Sequence, residues 1–266
     1  MSKQPSVPPA LPSAQQHLDD DGYVLLPKLI PQSLLAELRQ HVELLFEREG
    51  DQAGSEIKQE AGSRRLANLM AKGSVFWPLL TDPRVLPLVQ HVLNGEAKLS
   101  SLNVRSVNAN WDQPQPLHCD MGAIADEAGF WVCNVVWMLD DFTLDNGPLR
   151  VVPGSHRWGR LPQQELHDPT AEHPRQNVIT GEAGSAIVLN AHAWHGGMAN
   201  HTSQSRTAIH AFYCRRDKPQ QQYQKSLLPA HIQRELSDEL RELLAIDDAD
   251  NDRLATQQTQ RSGFLK

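Results

Sequence analysis

The sequence predicts a mainly β fold, a sandwich or barrel with α-helices packed against its outside. Two observations carry that expectation. From Lys98 to Cys214 short strand candidates are separated by turn chemistry, most clearly at Asp145-Asn146-Gly147 and Val152-Pro153-Gly154-Ser155. On either side of that region apolar residues recur at helical spacing, so helices flank the strands instead of alternating with them as βαβ units would require. A length of 266 residues is accounted for by one elaborated domain.

Residues 1–17 are rich in Pro, Ser and Gln and offer little to bury, which predicts a flexible tail ahead of a single catalytic domain over 18–266. Gly22-Tyr23-Val24-Leu25-Leu26 reads as a short strand, stopped at Ile30-Pro31. Ser33 is a suitable N-cap for a helix on which Leu34, Leu35, Leu38, Val42 and Leu45 share helical spacing and which Gly50 ends. Asp51 to Arg64 reads as a mobile polar connection and Asp82 to Leu93 as another helix. The core, from about 98 to 214, then takes its strands from Leu99–Val107, Phe130–Leu139, Leu149–Val152, Ala186–Leu189 and Arg206–Cys214. A helix over Pro229–Leu244 and a polar end from Asp247 to Lys266 complete the chain.

Composition narrows the function. The formal charge of -7 arises from 32 acidic and 25 basic residues, and no stripe of Lys and Arg interleaved with aromatics offers a footprint for nucleic acid. No run of apolar residues reaches the length of a membrane span, and Pro and Ser interrupt the first residues where a secretory signal would be apolar. Three cysteines, Cys119, Cys133 and Cys214, are too few and too scattered for a disulfide framework or a thiolate cluster. A cytoplasmic protein with reduced thiols is the expectation, and the sequon-like Asn200-His201-Thr202 then carries no sugar.

The chemistry concentrates in two short segments. In Gln115-Pro116-Leu117-His118-Cys119-Asp120 an extended backbone turns His118 and Asp120 to one face and Cys119 to the other, so the pair can grip one metal ion. His195, in Ala191-His192-Ala193-Trp194-His195-Gly196-Gly197, supplies a third ligand. Two imidazoles and one carboxylate form the facial triad that leaves adjacent coordination positions open on Fe(II), although Zn(II) accepts the same donors. Arg206, eleven residues beyond His195, can return along a neighbouring strand and offer a planar fork to a dicarboxylate in the same cavity.

Four segments together resemble the phytanoyl-CoA dioxygenase-like branch of the 2-oxoglutarate oxygenases: GYVLLPKLIP near the start, QPLHCD, DNGPLRVVPGSH from Asp145 to His156, and HGGMANHTSQSR from His195 to Arg206. They occur in family order and span roughly residues 20 to 214. The resemblance implies a double-stranded β-helix, the jelly-roll or cupin-like barrel, with flanking helices. It implies Fe(II) held by His118, Asp120 and His195, and 2-oxoglutarate as co-substrate with its far carboxylate on Arg206. It further implies oxidation of a small molecule by O2 through hydroxylation or related C–H chemistry, with succinate and CO2 released.

In the same comparison Asn200 matches the Asn found between the distal His and the Arg, and His192, which fits the ligand spacing less well than His195, is a candidate only to line the pocket or to support the ligands from behind. Many relatives carry a hydroxyl residue two positions after the distal His, where this chain has Gly197. Thr202, Asn108 or water are the candidates to replace that contact. Trp137 is the candidate aromatic beside 2-oxoglutarate. His156 and Arg150, in the turn-rich third segment, read first as structural, with a place at the mouth of the site as the alternative. Two other functions fit the residues taken without the resemblance: a metal-dependent hydrolase or isomerase on a cupin-like barrel, and a non-catalytic jelly-roll binding protein.

Overall fold

The computed structural model describes residues 10–57, 59–95 and 97–258. Helix α1 (Leu11–Asp21) leads into strand β1 (Tyr23–Leu26), and α2 (Gln32–Glu49), β2 (Ser63–Leu66) and α3 (Leu86–Val92) follow. The remaining strands are β3 (Ala97–Val107), β4 (Val132–Met138), β5 (Leu149–Val151), β6 (Asn177–Ile179), β7 (Ala186–Asn190), β8 (His195–Gly197) and β9 (Arg206–Arg215). Six of them form an antiparallel sheet in the order β1-β7-β4-β9-β3-β2, and three form a second sheet in the order β6-β5-β8. The two sheets face each other as the walls of a double-stranded β-helix, with the helices on the outside of the larger one.

Alternation along the central strands divides the interior. On β4, Cys133, Val135 and Trp137 pack with Leu35, Leu38, Phe76 and Val89 in the core between the large sheet and the helices. Val136 and Met138 face the other way, toward Leu149 and Val151 of the small sheet. Trp137 is therefore wholly buried on the helix side, away from the space between the sheets, and cannot pack beside a co-substrate held there. Both faces of β4 are covered, so its parity alone does not say which side holds the cavity.

Several boundaries differ from expectation for local reasons. The segment expected as a tail is helical from Leu11, with Pro12 in its first turn, and it buries Ala14 and Leu18 against the core; residues 1–9 lie outside the described residues. Helix α2 starts at Gln32 after Pro31, so Ser33 lies inside it and caps nothing. The expected mobile connection, Asp51 to Arg64, runs into the edge strand β2, whose first two residues, Ser63 and Arg64, are its last. The helix expected over Pro229–Leu244 is two, Ala230–Glu235 and Asp238–Leu243, because the Ser237 Oγ accepts the Leu240 N–H at 3.3 Å and starts a new helix there. The polar end contains a further helix, Ala249–Gln258. That helix docks through buried Asn251, whose Oδ1 accepts from the Lys98 Nζ of β3 at 2.7 Å. Among the described residues no helix is long and apolar enough to cross a membrane.

Candidate active site

The small sheet gains a fourth, irregular strand from the segment before Asp120. His118 and His195 exchange both backbone hydrogen bonds, at 2.9 and 3.0 Å, and the Gln115 N–H donates to the Gly197 carbonyl at 2.7 Å. A directly opposed pair places its side chains on one face, and the two imidazoles lie 4.4 Å apart between centroids. Cys119 is extended, so the alternation continues into the turn at Asp120–Gly122. Asp120 then joins the histidines while Cys119 turns away, its thiol donating to the His192 carbonyl.

The three candidate ligands converge. The Nε2 atoms of His118 and His195 each lie 3.5 Å from the Asp120 Oδ1, and one donor atom from each residue falls within 4.8 Å of the other two. Each ring is aimed by its own backbone: the His118 Nδ1 lies 2.9 Å from the Pro116 carbonyl and the His195 Nδ1 2.8 Å from the Ala193 carbonyl. A carbonyl only accepts, so Nδ1 carries the proton and Nε2 keeps a free lone pair for a metal. The Asn134 amide of β4 donates to the Asp120 Oδ2 at 3.1 Å, which leaves Oδ1 turned to the histidines. The trio could hold a metal through one face of its coordination shell, and His118 is the most exposed of the three.

Arg206 opens β9 on the same inner face and is 3% exposed. One Nη2 hydrogen bond goes to the Gly147 carbonyl, and the guanidinium stacks 4.1 Å over Phe142. Gly147 sits in a left-handed turn (φ +79°), where a Cβ would stand 3.0 Å from the Met198 carbonyl. Among the described residues Arg206 has no carboxylate partner, and its Nε has no hydrogen-bond partner at all. Burial, reinforced by Arg105, pulls its pKa down to about 9. A buried cation with an unused donor fits a carboxylate ligand such as the far end of 2-oxoglutarate.

Asn200 is wholly buried and holds the turn that delivers Arg206. Its Nδ2 donates to the Asn108 and Gln204 carbonyls at 3.0 and 2.8 Å, and its Oδ1 accepts from the Thr202 N–H and hydroxyl at 3.0 and 2.7 Å. Thr202 is thus spent inside that turn and does not replace the hydroxyl missing at Gly197, while Asn108 contributes its backbone carbonyl to the same turn. The place is taken from another strand. A Cβ on Gly197 would stand 3.0 Å from the Gln115 Oε1 and 3.4 Å from the Arg105 Nη1, so glycine here makes room for those two side chains.

The other sequence candidates are structural. His192 donates from Nδ1 to the Asn190 Oδ1 at 3.0 Å and accepts the Trp131 N–H at 3.4 Å, and burial lowers its pKa to about 3. Burial likewise brings His156 to about 4, with its ring against Gly22 and its Nε2 at the Asp19 carbonyl. Arg150 is 1% exposed and ties the Gln115, Pro169, Thr170 and Ala171 carbonyls together, bracing the strand that carries His118.

Sequence reasoning missed a polar group around the site. Glu60 accepts from Arg105 at 2.6 Å, Arg65 at 2.8 Å and Gln115 at 3.2 Å. Asn103 and Arg105 on β3, and His210 four residues after Arg206 on β9, share the inner face. The available signal was polar residues two or four apart inside strands that are otherwise apolar.

The description phytanoyl-CoA dioxygenase (PhyH) belongs to the family model that matches residues 18–208. The dioxygenase af480 of Aspergillus fumigatus is 25% identical over 246 residues, covering 88% of this chain and 76% of its own. The L-proline trans-4-hydroxylase of Streptomyces griseoviridis is 24% identical over 240 residues, covering 79% and 88%. The crystal structure of EctD from S. alaskensis in its apoform superposes with a TM-score of 0.65 at 21% identity over 80% of each chain, a likeness of fold. With the family model spanning most of its length, this chain belongs to the phytanoyl-CoA dioxygenase family and is a non-haem Fe(II)- and 2-oxoglutarate-dependent oxygenase.

Proposed function

We propose that His118, Asp120 and His195 hold the Fe(II), that Arg206 receives the far carboxylate of 2-oxoglutarate, and that the enzyme hydroxylates a small molecule or carries out a related C–H oxidation. The observation that carries this reading is Arg206, a buried guanidinium with no acidic partner, on the same inner face as the triad. A metal barrel that takes no carboxylate ligand has no use for such an unpaired cation. Bound at the triad, iron with 2-oxoglutarate and O2 supplies the oxidising power, at the expense of one carboxylate lost as CO2.

The protein's own contribution is positioning. The Pro116 and Ala193 carbonyls aim the two imidazoles, Asn134 fixes the carboxylate, and Arg206 sets the direction of the co-substrate. At Gly197 the Gln115 Oε1 accepts the Gly197 N–H at 3.0 Å, and the Arg105 Nη1 lies beside it. A cytoplasmic setting belongs to the proposal and is supported by three buried, unpaired cysteines.

The test is Fe(II)-dependent release of succinate and CO2 from 2-oxoglutarate by purified protein. Turnover is expected to be slow alone and one-for-one with product once the substrate is supplied. A protein that neither binds nor consumes 2-oxoglutarate would refute the assignment.

A further inference from the structure

Strand β9 lies inside the large sheet, and nine of its ten residues are buried; His210 is the exception. A residue at mid-sheet meets open space only where a cavity lies over it. Across the ladder His210 stands opposite Asn103 of β3 and Val136 of β4, and Arg105, two residues on from Asn103, stands opposite Arg65 of β2. Asn134, two before Val136, is the residue that orients Asp120. The cavity above His210 therefore adjoins the candidate metal ligands and is walled by polar side chains.

Those side chains are unsatisfied. Asn103 Oδ1, Asn134 Oδ1, His210 Nε2 and Arg65 Nε are shielded from solvent and have no hydrogen-bond partner among the described residues. Asn103 is only 8% exposed and Asn134 7%. Folded proteins leave few such groups, because each buried one costs about 1–3 kcal/mol. Several of them on neighbouring strands of one cavity wall point to a ligand that completes them.

Charge gives the ligand its sign. Among the described residues Arg65, Arg105 and Arg206 are set against Glu60 and Asp120, since Asp140, the acid nearest Arg206, already pairs with Arg39. A divalent iron raises the excess by two and 2-oxoglutarate lowers it by two, so one positive charge remains uncompensated. It resides on the Arg65–Glu60–Arg105 group. Among the described residues the Arg105 Nη1 has no hydrogen-bond partner, and it lies beside Gly197, two residues along the strand from His195. Burial, and next Arg105, lowers the His210 pKa to about 3, so the imidazole adds no charge at neutral pH.

Resting on the oxygenase reading above, we propose that the primary substrate is a small polar molecule bearing one carboxylate. The acid group sits on Arg65 and Arg105, and hydroxyl or amino groups face Asn103 and His210. A fatty-acyl or other long apolar chain would leave every one of these groups unpaired.

The test uses protein loaded with Mn(II) and 2-oxoglutarate, which binds without turning over. Calorimetric titrations compare the twenty common amino acids, L-pipecolate and L-lactate with their primary carboxamides, and include octanoyl-CoA. At least one acid is expected to bind tenfold or more tightly than its amide. Arg65→Met should weaken that acid at least tenfold and Arg65→Lys should recover part of the loss, while 2-oxoglutarate affinity stays within twofold in both. The proposal is overturned if no acid is preferred to its amide, if octanoyl-CoA binds instead, or if Arg65→Met leaves the acid's affinity unchanged. If 2-oxoglutarate itself does not bind the Mn(II) protein, the oxygenase assignment falls first, and this one with it.

Discussion

Replacing Arg206 by Met separates a co-substrate site from a generic metal barrel. The guanidinium is 3% exposed and lacks an acidic partner, so its pairing with a bound carboxylate takes place almost entirely out of water. Removing one member of such a pair costs roughly 2 to 5 kcal/mol, which is about 30-fold to a few thousand-fold in affinity. The same substitution has the opposite effect on the ligand-free fold. Burial brings Arg206 to about 9, and keeping the group charged at neutral pH against that displacement costs on the order of 5 kcal/mol. Methionine removes the charge and fills much of the space, so ligand-free Arg206→Met should melt no lower than the parent. The assay is a pair of titrations on folded variant, Mn(II) alone and then 2-oxoglutarate with Mn(II) present, alongside thermal melts. Weakened 2-oxoglutarate binding with unchanged Mn(II) binding is the expected pattern. Parental 2-oxoglutarate affinity, or parallel loss of the metal, would refute the reasoning.

Other expectations follow from the same geometry. His118→Ala and Asp120→Ala should each lower Fe(II) affinity sharply and abolish 2-oxoglutarate turnover, read by metal titration of the folded variants; unchanged binding in both removes them from the ligand set. On the proposed ligand set Asp120 leaves chloride no vacated coordination site, so product analysis in chloride should show oxygenated, desaturated or cyclised material and no chlorinated major product. His156 and His192 are held by burial near 4 and 3, below their ordinary value of 6.5. The unfolded chain therefore takes up protons first as pH falls, and the stability present above pH ~6.5 declines toward pH ~4. Urea unfolding should show a loss of roughly 6 kcal/mol between pH 7 and 5 from these two groups together with His210, which burial holds near 3, reduced by about a third in His156→Gln; equal stability at both pH values contradicts it. Gly197→Ala should cost about 1 to 3 kcal/mol by crowding Gln115, and Gln115→Ala in the same chain should return part of it, measured as a double-mutant cycle in urea.

What the sequence made legible was what backbone geometry carries by itself. The central strands showed through their turns, and His118 and Asp120 share a face because Cys119 between them is extended. Other features depend on neighbours that a strand cannot name. Trp137 lies on a strand buried on both faces, so the identity of its neighbours came from the helices and not from β4. Strand β8 is three residues, two of them glycine, and has no apolar pattern to reveal it. Helix α1 hides because its Pro, Ser and Gln face water while Ala14 and Leu18 alone reach the core. Nothing in the sequence joins Arg65 to Arg105; the register sets them opposite one another beside Glu60.

The carbonyls of Pro116 and Ala193 that hold the two imidazoles belong to the main chain, two residues before the histidine each of them orients. No point mutation can delete a peptide carbonyl. The tautomer and aim of both nitrogens are thereby insulated from sequence drift, whereas the polar walls at Asn103, Arg105 and His210 are side chains throughout and open to replacement. A lineage built this way can exchange one metabolite for another by altering those walls and leave its iron chemistry untouched.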